Sequence, residues 1–421
     1  MFARSSPSTV VHTAHNSSIQ VTPSQEPFHE YLKSTCPSLS TGFKPTPWLF
    51  NGHLQTIFST LQTDRHPLTF QRRLITHPDG GCSACDIYPP DSTCENAPVL
   101  VILHGLTGGS QESYIQSLIH HVTSSSGEPG QFRFTCVVVH ARGCNGSPVN
   151  TPHLFSARFT QDLHRCMQAF VTNMFPQSAF IVMMGFSLGA NILINYLSDL
   201  HHYDAGENEQ TLIMAKLRGA VSIGNPYDLL LTNRHLRRTA FNRWVYDRTL
   251  GSNLVRLFKH HCNVFRDVLD VDWILQATNS TEYDERCTRR AFGYPTVDAY
   301  FRDAGCAQRL MDVRVPLVCL TALDDPVAPS EAVPWDECLR NPYVQLVTTM
   351  KGGHLAWFEG IWRTRRWSSR VLAEIAQSLG QVSVLMMLGE LLYVCVDGFG
   401  ASASVILCRS KAGAGAVCAT A

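Results

Sequence analysis

The chain is 421 residues long and balances 34 lysine and arginine residues against 34 aspartate and glutamate residues. This length allows one large α/β domain with an insertion, or two modest domains. Because the net charge is zero, no overall field attracts nucleic acid, and we expect a small or apolar partner instead.

The fifteen cysteines are scattered singly through mostly apolar segments, which predicts free thiols in a reducing compartment. Cys82 and Cys85 have the spacing of a metal-ligand pair, but no second pair at zinc-finger distance completes a site, so we interpret them as strand residues. The N-terminus lacks the apolar region of a signal peptide, and no segment is a convincing membrane span. We therefore expect a cytoplasmic protein with no metal, no stable membrane span and at most peripheral contact with lipid.

Residues 1–40 are rich in Ser, Thr, Pro and His, and this composition predicts a poorly ordered leader. Beyond them, short apolar runs alternate with helical stretches. The runs are 98–103, 134–139, 180–184, 217–223 and 315–320, and the helices are 112–122, 155–175 and 190–200. Nearly continuous β-branched runs are typical of strands buried on both faces of a parallel sheet. The order predicts an α/β fold with a mostly parallel, doubly wound sheet built from residues 41–225 and 311–380.

Residues 226–310 interrupt this alternation with a long helix-like stretch, which predicts a helical lid inserted over the strand ends. An ordinary crossover helix with a long loop is the alternative. Residues 381–421 are of low complexity, and their apolar run is interrupted by Glu390 and is short for a membrane span. We interpret them as an atypical tail and assign them no function.

The sequence Gly185-Phe186-Ser187-Leu188-Gly189 lies between a predicted strand and a predicted helix. In this setting G-x-S-x-G forms a sharp turn that lifts the serine above the sheet, and the flanking glycines let strand and helix approach. A serine hydroxyl is a weak nucleophile and needs a histidine base oriented by a carboxylate. The motif therefore predicts Ser187 as a nucleophile with both partners further along the chain.

Both partners occur in the expected order. His354 follows Gly352 and Gly353 in a loop near the end of the predicted core, and two aspartates, Asp324 and Asp325, follow the strand 315–320. We favour Asp325 as the acid, while Asp324 stays open as the alternative or as a brace for the same turn.

The oxyanion of such a reaction needs two backbone amides. Leu188 is one expected donor, and Leu106 in the glycine-rich loop after the first strand is the other, with Thr107 as second choice. The loop does not match the phosphate-binding patterns, so no nucleotide cofactor is expected.

Several stretches together resemble a known family: NGHLQT at 51–56, HGLTGGSQESYI at 104–115, HARGCNGSPVNTP at 140–152, the serine motif, ALDDPVAP at 322–329 and GGHLAWFEG at 352–360. The chain resembles the AB hydrolase 4 subfamily of the α/β-hydrolase superfamily, which includes medium-chain fatty acid ethyl ester synthase/esterases and abhydrolase-domain lipases. The resemblance implies an α/β-hydrolase fold and a triad of Ser187, Asp325 and His354.

We therefore expect a serine carboxylic-ester hydrolase that acts on small-molecule or lipid esters with short- to medium-chain acyl groups, without a cofactor. An alcohol O-acyltransferase that uses the same triad is one alternative, and a non-catalytic binder of apolar ligands is another. His53, His140 and Arg142 lie in the same motifs, but we expect structural roles for them, with Arg142 paired to a carboxylate such as Asp162.

Overall fold

The structure is a computed structural model that describes residues 9–13, 19–21, 26–62, 68–90, 96–124, 131–203, 207–382, 393–396, 405–411 and 414–419. Its strands are β1 (Thr9–His12), β2 (Gln20–Val21), β3 (Glu26–Pro27), β4 (Gln71–Thr76), β5 (Cys82–Tyr88), β6 (Val99–Leu103), β7 (Thr135–Val139), β8 (Ile181–Phe186), β9 (Leu217–Ile223), β10 (Leu317–Ala322), β11 (Val344–Thr349), β12 (Phe358–Glu359), β13 (Arg365–Arg366), β14 (Tyr393–Val396), β15 (Val405–Lys411) and β16 (Ala414–Ala419).

The α-helices are α1 (Phe28–Thr35), α2 (Pro37–Thr41), α3 (Gly52–Leu61), α4 (Ser113–Ser124), α5 (Gln161–Ala169), α6 (Leu188–Asp199), α7 (Glu207–Lys216), α8 (Leu229–Leu236), α9 (Ala240–Asn242), α10 (Arg248–His261), α11 (Val271–Leu275), α12 (Ser280–Tyr283), α13 (Arg289–Ala291), α14 (Val297–Ala304), α15 (Trp335–Arg340) and α16 (Trp367–Gln381). Among the residues that the structure describes, no helix is long and apolar enough to cross a membrane.

One nine-stranded sheet runs in the order β1-β11-β10-β9-β8-β6-β7-β5-β4. The six strands from β11 to β7 pair in parallel, while β1, β5 and β4 pair antiparallel at the two edges. The predicted mostly parallel sheet is confirmed. Strands β2–β3, β12–β13 and β14–β16 form small separate antiparallel sheets.

Alternate residues of the central strands enter two different cores. In β6, Leu100 and Ile102 pack with α4 and α16 on one face, whereas Val99, Val101 and Leu103 pack with α5 and α6 on the other. Because both faces are covered by helices, polar alternation is absent from these strands. This explains why these strands appear in the sequence as continuous apolar runs.

Two predictions need correction. The helix expected from Phe155 begins at Gln161, because the Ser156 hydroxyl accepts hydrogen bonds from the amides of Arg158 and Phe159 and closes a turn there. The leader expected at residues 1–40 is folded where α1 and α2 form, because Phe28, Tyr31 and Leu32 of α1 are buried in the core that contains α16. Strands β1, β2 and β3 also lie in this stretch, and its residues 1–8, 14–18 and 22–25 lie outside the described part.

The segment 226–310 is helical from α8 to α14 and has an apolar cluster of its own. Leu254, Phe258, Phe265, Ile274 and Tyr283 are buried together, joined by residues of the 149–154 loop. The segment also contributes much of the wall of the cavity described below. That it acts as a lid stays a prediction. Of the predicted tail, residues 383–392, 397–404, 412–413 and 420–421 lie outside the described part.

Candidate active site

Ser187 occupies the turn between β8 and α6. Its backbone has φ 52° and ψ −119°, a conformation that side chains rarely adopt, and its amide donates to the Ile223 carbonyl at 2.8 Å. A Cβ atom at Gly185 would lie 2.5 Å from the Gly189 carbonyl oxygen, and one at Gly189 would lie 2.5 Å from that of His104. Both glycines are therefore required sterically if the serine is to stand at the end of the strand.

The structure brings the three predicted side chains into one hydrogen-bonded chain. His354 Nε2 lies 2.9 Å from Ser187 Oγ, and His354 Nδ1 lies 2.8 Å from Asp325 Oδ2. Asp325 is buried, and its Oδ1 accepts from the amides of Val327 and Ala328 at 2.8 and 2.9 Å. Because the Asp325 carboxylate accepts a hydrogen bond from Nδ1–H of His354, the lone pair of His354 Nε2 faces the serine hydroxyl.

Asp324 has a different environment from Asp325. Its Oδ1 accepts from the Gly353 amide at 2.9 Å, and its buried Oδ2 has no hydrogen-bond partner among the described residues. Burial raises the pKa of this carboxyl group above its usual value. Asp324 thus contacts the backbone of the histidine loop, while Asp325 contacts the imidazole.

Helix α3 supports the histidine loop. The His354 amide donates to Thr56 Oγ1 at 2.8 Å, and Thr56 Oγ1 donates to the Gly52 carbonyl at 2.7 Å. Gly353 has φ 59°, and a Cβ atom there would lie 2.5 Å from the Gly52 carbonyl oxygen. Sequence reasoning did not identify Thr56 as a site residue, although it ends the family-specific stretch NGHLQT.

Arg366 also holds the histidine loop and was not identified from the sequence. Its buried guanidinium donates to the Leu355 carbonyl, and its Nη2 donates to Ser59 Oγ at 2.8 Å and Ser113 Oγ at 2.9 Å. The carbon of the guanidinium lies 4.6 Å from the centre of the Phe358 ring. Burial lowers the pKa of Arg366 to about 10. No local motif signals this role, because the partners come from three distant segments.

The two amides predicted for the oxyanion belong to residues that line the same cavity as Ser187. Within the described part of the chain, neither the Leu106 amide nor the Leu188 amide has a hydrogen-bond acceptor. The loop before Leu106 is fixed, since the Gly105 amide donates to the Tyr114 hydroxyl at 3.0 Å. Thr107, the second choice, has φ 56° in the same turn.

A cavity of about 640 Å³ opens at Ser187 and His354. Residues of α3 and of the helical segment 226–310 form much of its wall, and its apolar lining includes Leu229, Leu236, Leu250, Leu254, Leu257, Phe292 and Phe301. An apolar cavity of this size is large enough to bury a small ligand or an acyl chain.

The other residues singled out in the sequence have structural contacts. Arg142 donates to Asp162 at 2.6 and 2.7 Å and also to Asp79, so the predicted pairing is confirmed. His140 Nε2 lies 3.0 Å from Asp86 Oδ2. His53 Nδ1 lies 2.8 Å from the Tyr246 hydroxyl, which joins α3 to the helical segment.

Cys82 and Cys85 both lie on β5, in agreement with their interpretation as strand residues. Both are buried and free.

The fold agrees with what is found by comparison with known proteins. A model of the α/β-hydrolase fold family matches residues 98–361. The chain therefore belongs to the α/β-hydrolase fold family, as its sequence motifs predict.

Individual relatives match most of the chain. It is 32% identical over 360 residues to the phospholipase ABHD3 of Homo sapiens, covering 84% of this chain and 83% of the relative. It is 30% identical to a monoacylglycerol lipase of Saccharomyces cerevisiae, covering 82% of each chain. It is 25% identical to medium-chain fatty acid ethyl ester synthase/esterase 2 of the same yeast, covering 86% of this chain and 91% of the relative.

Proposed function

We propose that this protein is a serine carboxylic-ester hydrolase with Ser187, His354 and Asp325 as its catalytic triad. The observation that carries the proposal is the continuous chain of contacts from Ser187 Oγ through His354 to Asp325, 2.9 and 2.8 Å long, at the edge of an apolar cavity. The names of the relatives, a phospholipase, a monoacylglycerol lipase and an esterase, support ester bonds as the target.

In the first half of the reaction, Ser187 Oγ forms a bond to the ester carbonyl carbon while its proton passes to His354 Nε2. Asp325 stabilises the resulting imidazolium, and the free amides of Leu106 and Leu188 donate to the oxyanion. The carbon–oxygen bond to the alcohol then breaks, and His354 gives its proton to the leaving oxygen. An acyl group remains on Ser187.

In the second half, water attacks the acyl carbon and His354 takes its proton. The bond to Ser187 breaks, the proton returns to the serine oxygen, and the carboxylic acid leaves. The scheme needs no cofactor, because every proton transfer uses His354.

The apolar lining of the cavity supports acyl esters of short to medium chain length as substrates. A series of p-nitrophenyl esters of increasing chain length tests this part of the proposal. We expect kcat/KM to rise with chain length until the cavity is filled and then to fall. A flat or steadily falling series would show that the acyl chain does not occupy the cavity.

We also propose a cytoplasmic location, which the many buried free cysteines support. Fractionation of cells that produce the protein tests this location.

Replacing Ser187 tests the catalytic assignment. Ser187→Ala removes the only atom that can form the acyl-enzyme in this scheme, so we expect kcat for a p-nitrophenyl ester to fall on the order of a million-fold. Ser252→Ala is the matched control, because Ser252 is an exposed serine on α10. If Ser187→Ala kept most of the turnover, the triad would be wrong, and a folded protein that never hydrolyses esters would favour a non-catalytic binder.

A second reaction of the same acyl-enzyme is favoured by the name of one relative, which is an ethyl ester synthase as well as an esterase. An alcohol that enters in place of water would take the acyl group and release an ester. Product analysis in mixtures of water and ethanol distinguishes the two, because acyl transfer gives an ethyl ester in excess of the uncatalysed background.

A further inference from the structure

Large apolar side chains are exposed close to helix α3. They are Trp48 (48% exposed), Phe50 (58%), Phe241 (48%), Trp244 (66%), Ile361 (58%) and Trp362 (94%), and we call them the aromatic surface. Single exposed apolar residues are ordinary on a folded protein, but a group that includes three tryptophans indicates a site of interaction.

Contacts through α3 connect the two ends of this surface. Trp48 Nε1 donates to the Ile361 carbonyl at 3.1 Å, and the Trp48 ring packs 5.1 Å from that of Phe58 on α3. At the other end, the ring of His53 on α3 lies 5.1 Å from that of Phe241. Trp48, Ile361 and Phe241 therefore all lie beside α3 although they come from three segments of the sequence, and the other members of the aromatic surface are within three residues of them in the chain.

The charged groups beside the aromatic surface are mainly basic. In residues 231–250 every exposed charged side chain is an arginine, and the single aspartate, Asp247, is buried. Arg363 and Arg365 are exposed directly after Trp362, and Arg248 lies over the Trp244 ring at 4.8 Å. Because the whole chain is neutral, this concentration of positive charge is a local property of the surface.

Helices next to the aromatic surface line the cavity. Thr56, Ser59 and Thr60 of α3 face it, as do Leu229 and Leu236 of α8. Tryptophan prefers the headgroup level of a bilayer, and arginine is attracted to anionic lipid headgroups. A protein partner would also use Trp and Arg, but it would not explain why the surface adjoins a cavity suited to acyl chains.

We propose that the aromatic surface docks this protein on an anionic lipid membrane. Trp244 and Trp362 enter the headgroup region, and the neighbouring arginines contact lipid phosphate and carboxylate groups. The inference rests on the proposed function in one respect: the membrane would then be the source of the ester that enters the cavity. Binding itself needs no catalysis and can be measured separately.

Sedimentation with vesicles tests the docking. We expect the full chain to bind vesicles of phosphatidylcholine with phosphatidylserine more tightly than vesicles of phosphatidylcholine alone, and added salt to weaken binding. In the double variant Trp244→Ala/Trp362→Ala we expect the partition coefficient to fall roughly tenfold, because the buried indole area is lost. Arg243→Glu/Arg363→Glu should lower it by a similar factor through charge alone.

Strand β4 supplies matched controls at a far edge of the sheet. Leu74 and Arg73 are exposed there, so Leu74→Ala and Arg73→Glu repeat both kinds of change away from the aromatic surface and should leave binding unaltered. Turnover of a water-soluble p-nitrophenyl ester should stay unchanged in all these variants, which separates a failure of docking from a failure of the proposed catalysis.

Three results would overturn the proposal. The wild-type chain could fail to bind anionic vesicles, the tryptophan and arginine variants could bind as well as the β4 controls, or the wild-type chain could self-associate through the same residues in place of binding lipid. The arginine pair keeps the test decisive if the tryptophan pair fails to fold.

Discussion

Asp324 and Asp325 are adjacent in the chain but meet different parts of the histidine loop. Asp325 reaches the imidazole, whereas Asp324 accepts from the Gly353 amide. In Asp325→Asn the amide cannot hold the required tautomer or offset the imidazolium charge, so we expect kcat to fall by about 10⁴-fold. In Asp324→Asn the amide oxygen can still accept from Gly353, and we expect less than a tenfold loss.

Steady-state turnover of one p-nitrophenyl ester by both variants measures this difference. Similar losses in the two variants, or a larger loss in Asp324→Asn, would mean that the acid has been assigned to the wrong residue. Circular dichroism of both variants confirms that they are folded.

At the level of residues, the sequence predicted the positions that chemistry constrains. Ser187 and His354 stand out because strand, turn and glycine pattern coincide there. Thr56 and Arg366 could not be found in the same way, because each acts through backbone groups that only the folded chain brings near. A hydrogen bond to a distant carbonyl or amide leaves no periodic pattern in the sequence.

One side chain of helix α3, Thr56, holds the histidine loop at His354 itself. Thr56→Val keeps the shape of the side chain but removes the acceptor of the His354 amide, so a buried donor is left unpaired. We expect the free energy of unfolding to fall by about 1–2 kcal/mol. We also expect kcat to fall roughly tenfold with little change in KM, because the imidazole is displaced from the serine.

Thr56→Ser is the matched control for this prediction, since it restores the hydroxyl and should recover most of kcat. If the valine and serine variants were equally active, α3 would support the fold without positioning His354.

Asp284 gives the helical segment a pH-dependent stability. It lines the cavity, its Oδ1 accepts from Thr288 Oγ1 at 2.7 Å, and burial raises its pKa to about 7, with a further contribution from the charge of Asp247. The folded state therefore binds the Asp284 proton more tightly than the unfolded state. Its contribution to stability is complete at low pH and is lost as the pH rises from about 4 to about 7.

The substitution Asp284→Asn removes this loss of stability at higher pH. We expect the variant to unfold at a higher denaturant concentration than the wild-type chain at pH 8, with a gain of about 1–3 kcal/mol, and to show little gain at pH 4. Asp267→Asn, at an exposed aspartate, is the control. A gain of the same size at both pH values would contradict a raised pKa for Asp284.

At the level of elements, the strands predicted correctly from the sequence are those that the structure buries on both faces. Strands β6 to β10 were readable because both of their faces are covered, but the start of α5 was not, because the Ser156 turn competes with the helix. Strand β4 was not predicted because most of its residues are exposed, so that it has no continuous apolar run. Strand β5 was predicted only at Cys82 and Cys85, because it mixes polar and apolar side chains.

For the whole molecule, the order of apolar runs and helical stretches predicted the fold class but not the complete strand arrangement. Strand β1 pairs antiparallel with β11 from the opposite end of the chain, and an edge pairing of this kind depends on a partner that local sequence does not specify. In the same way, a net charge of zero concealed the basic groups beside the aromatic surface. The distribution of charge over the surface can be seen only in the folded chain, because folding brings together segments that are far apart in the sequence.

The central claim is that Ser187 is the nucleophile, and covalent labelling tests it most directly. The full chain would be treated with a fluorophosphonate, digested and analysed by mass spectrometry. We predict a single stoichiometric adduct on the peptide that contains Ser187, and no adduct in Ser187→Ala or in wild-type chain inactivated by unfolding. An adduct on another residue, or equal labelling of Ser187→Ala, would contradict the account.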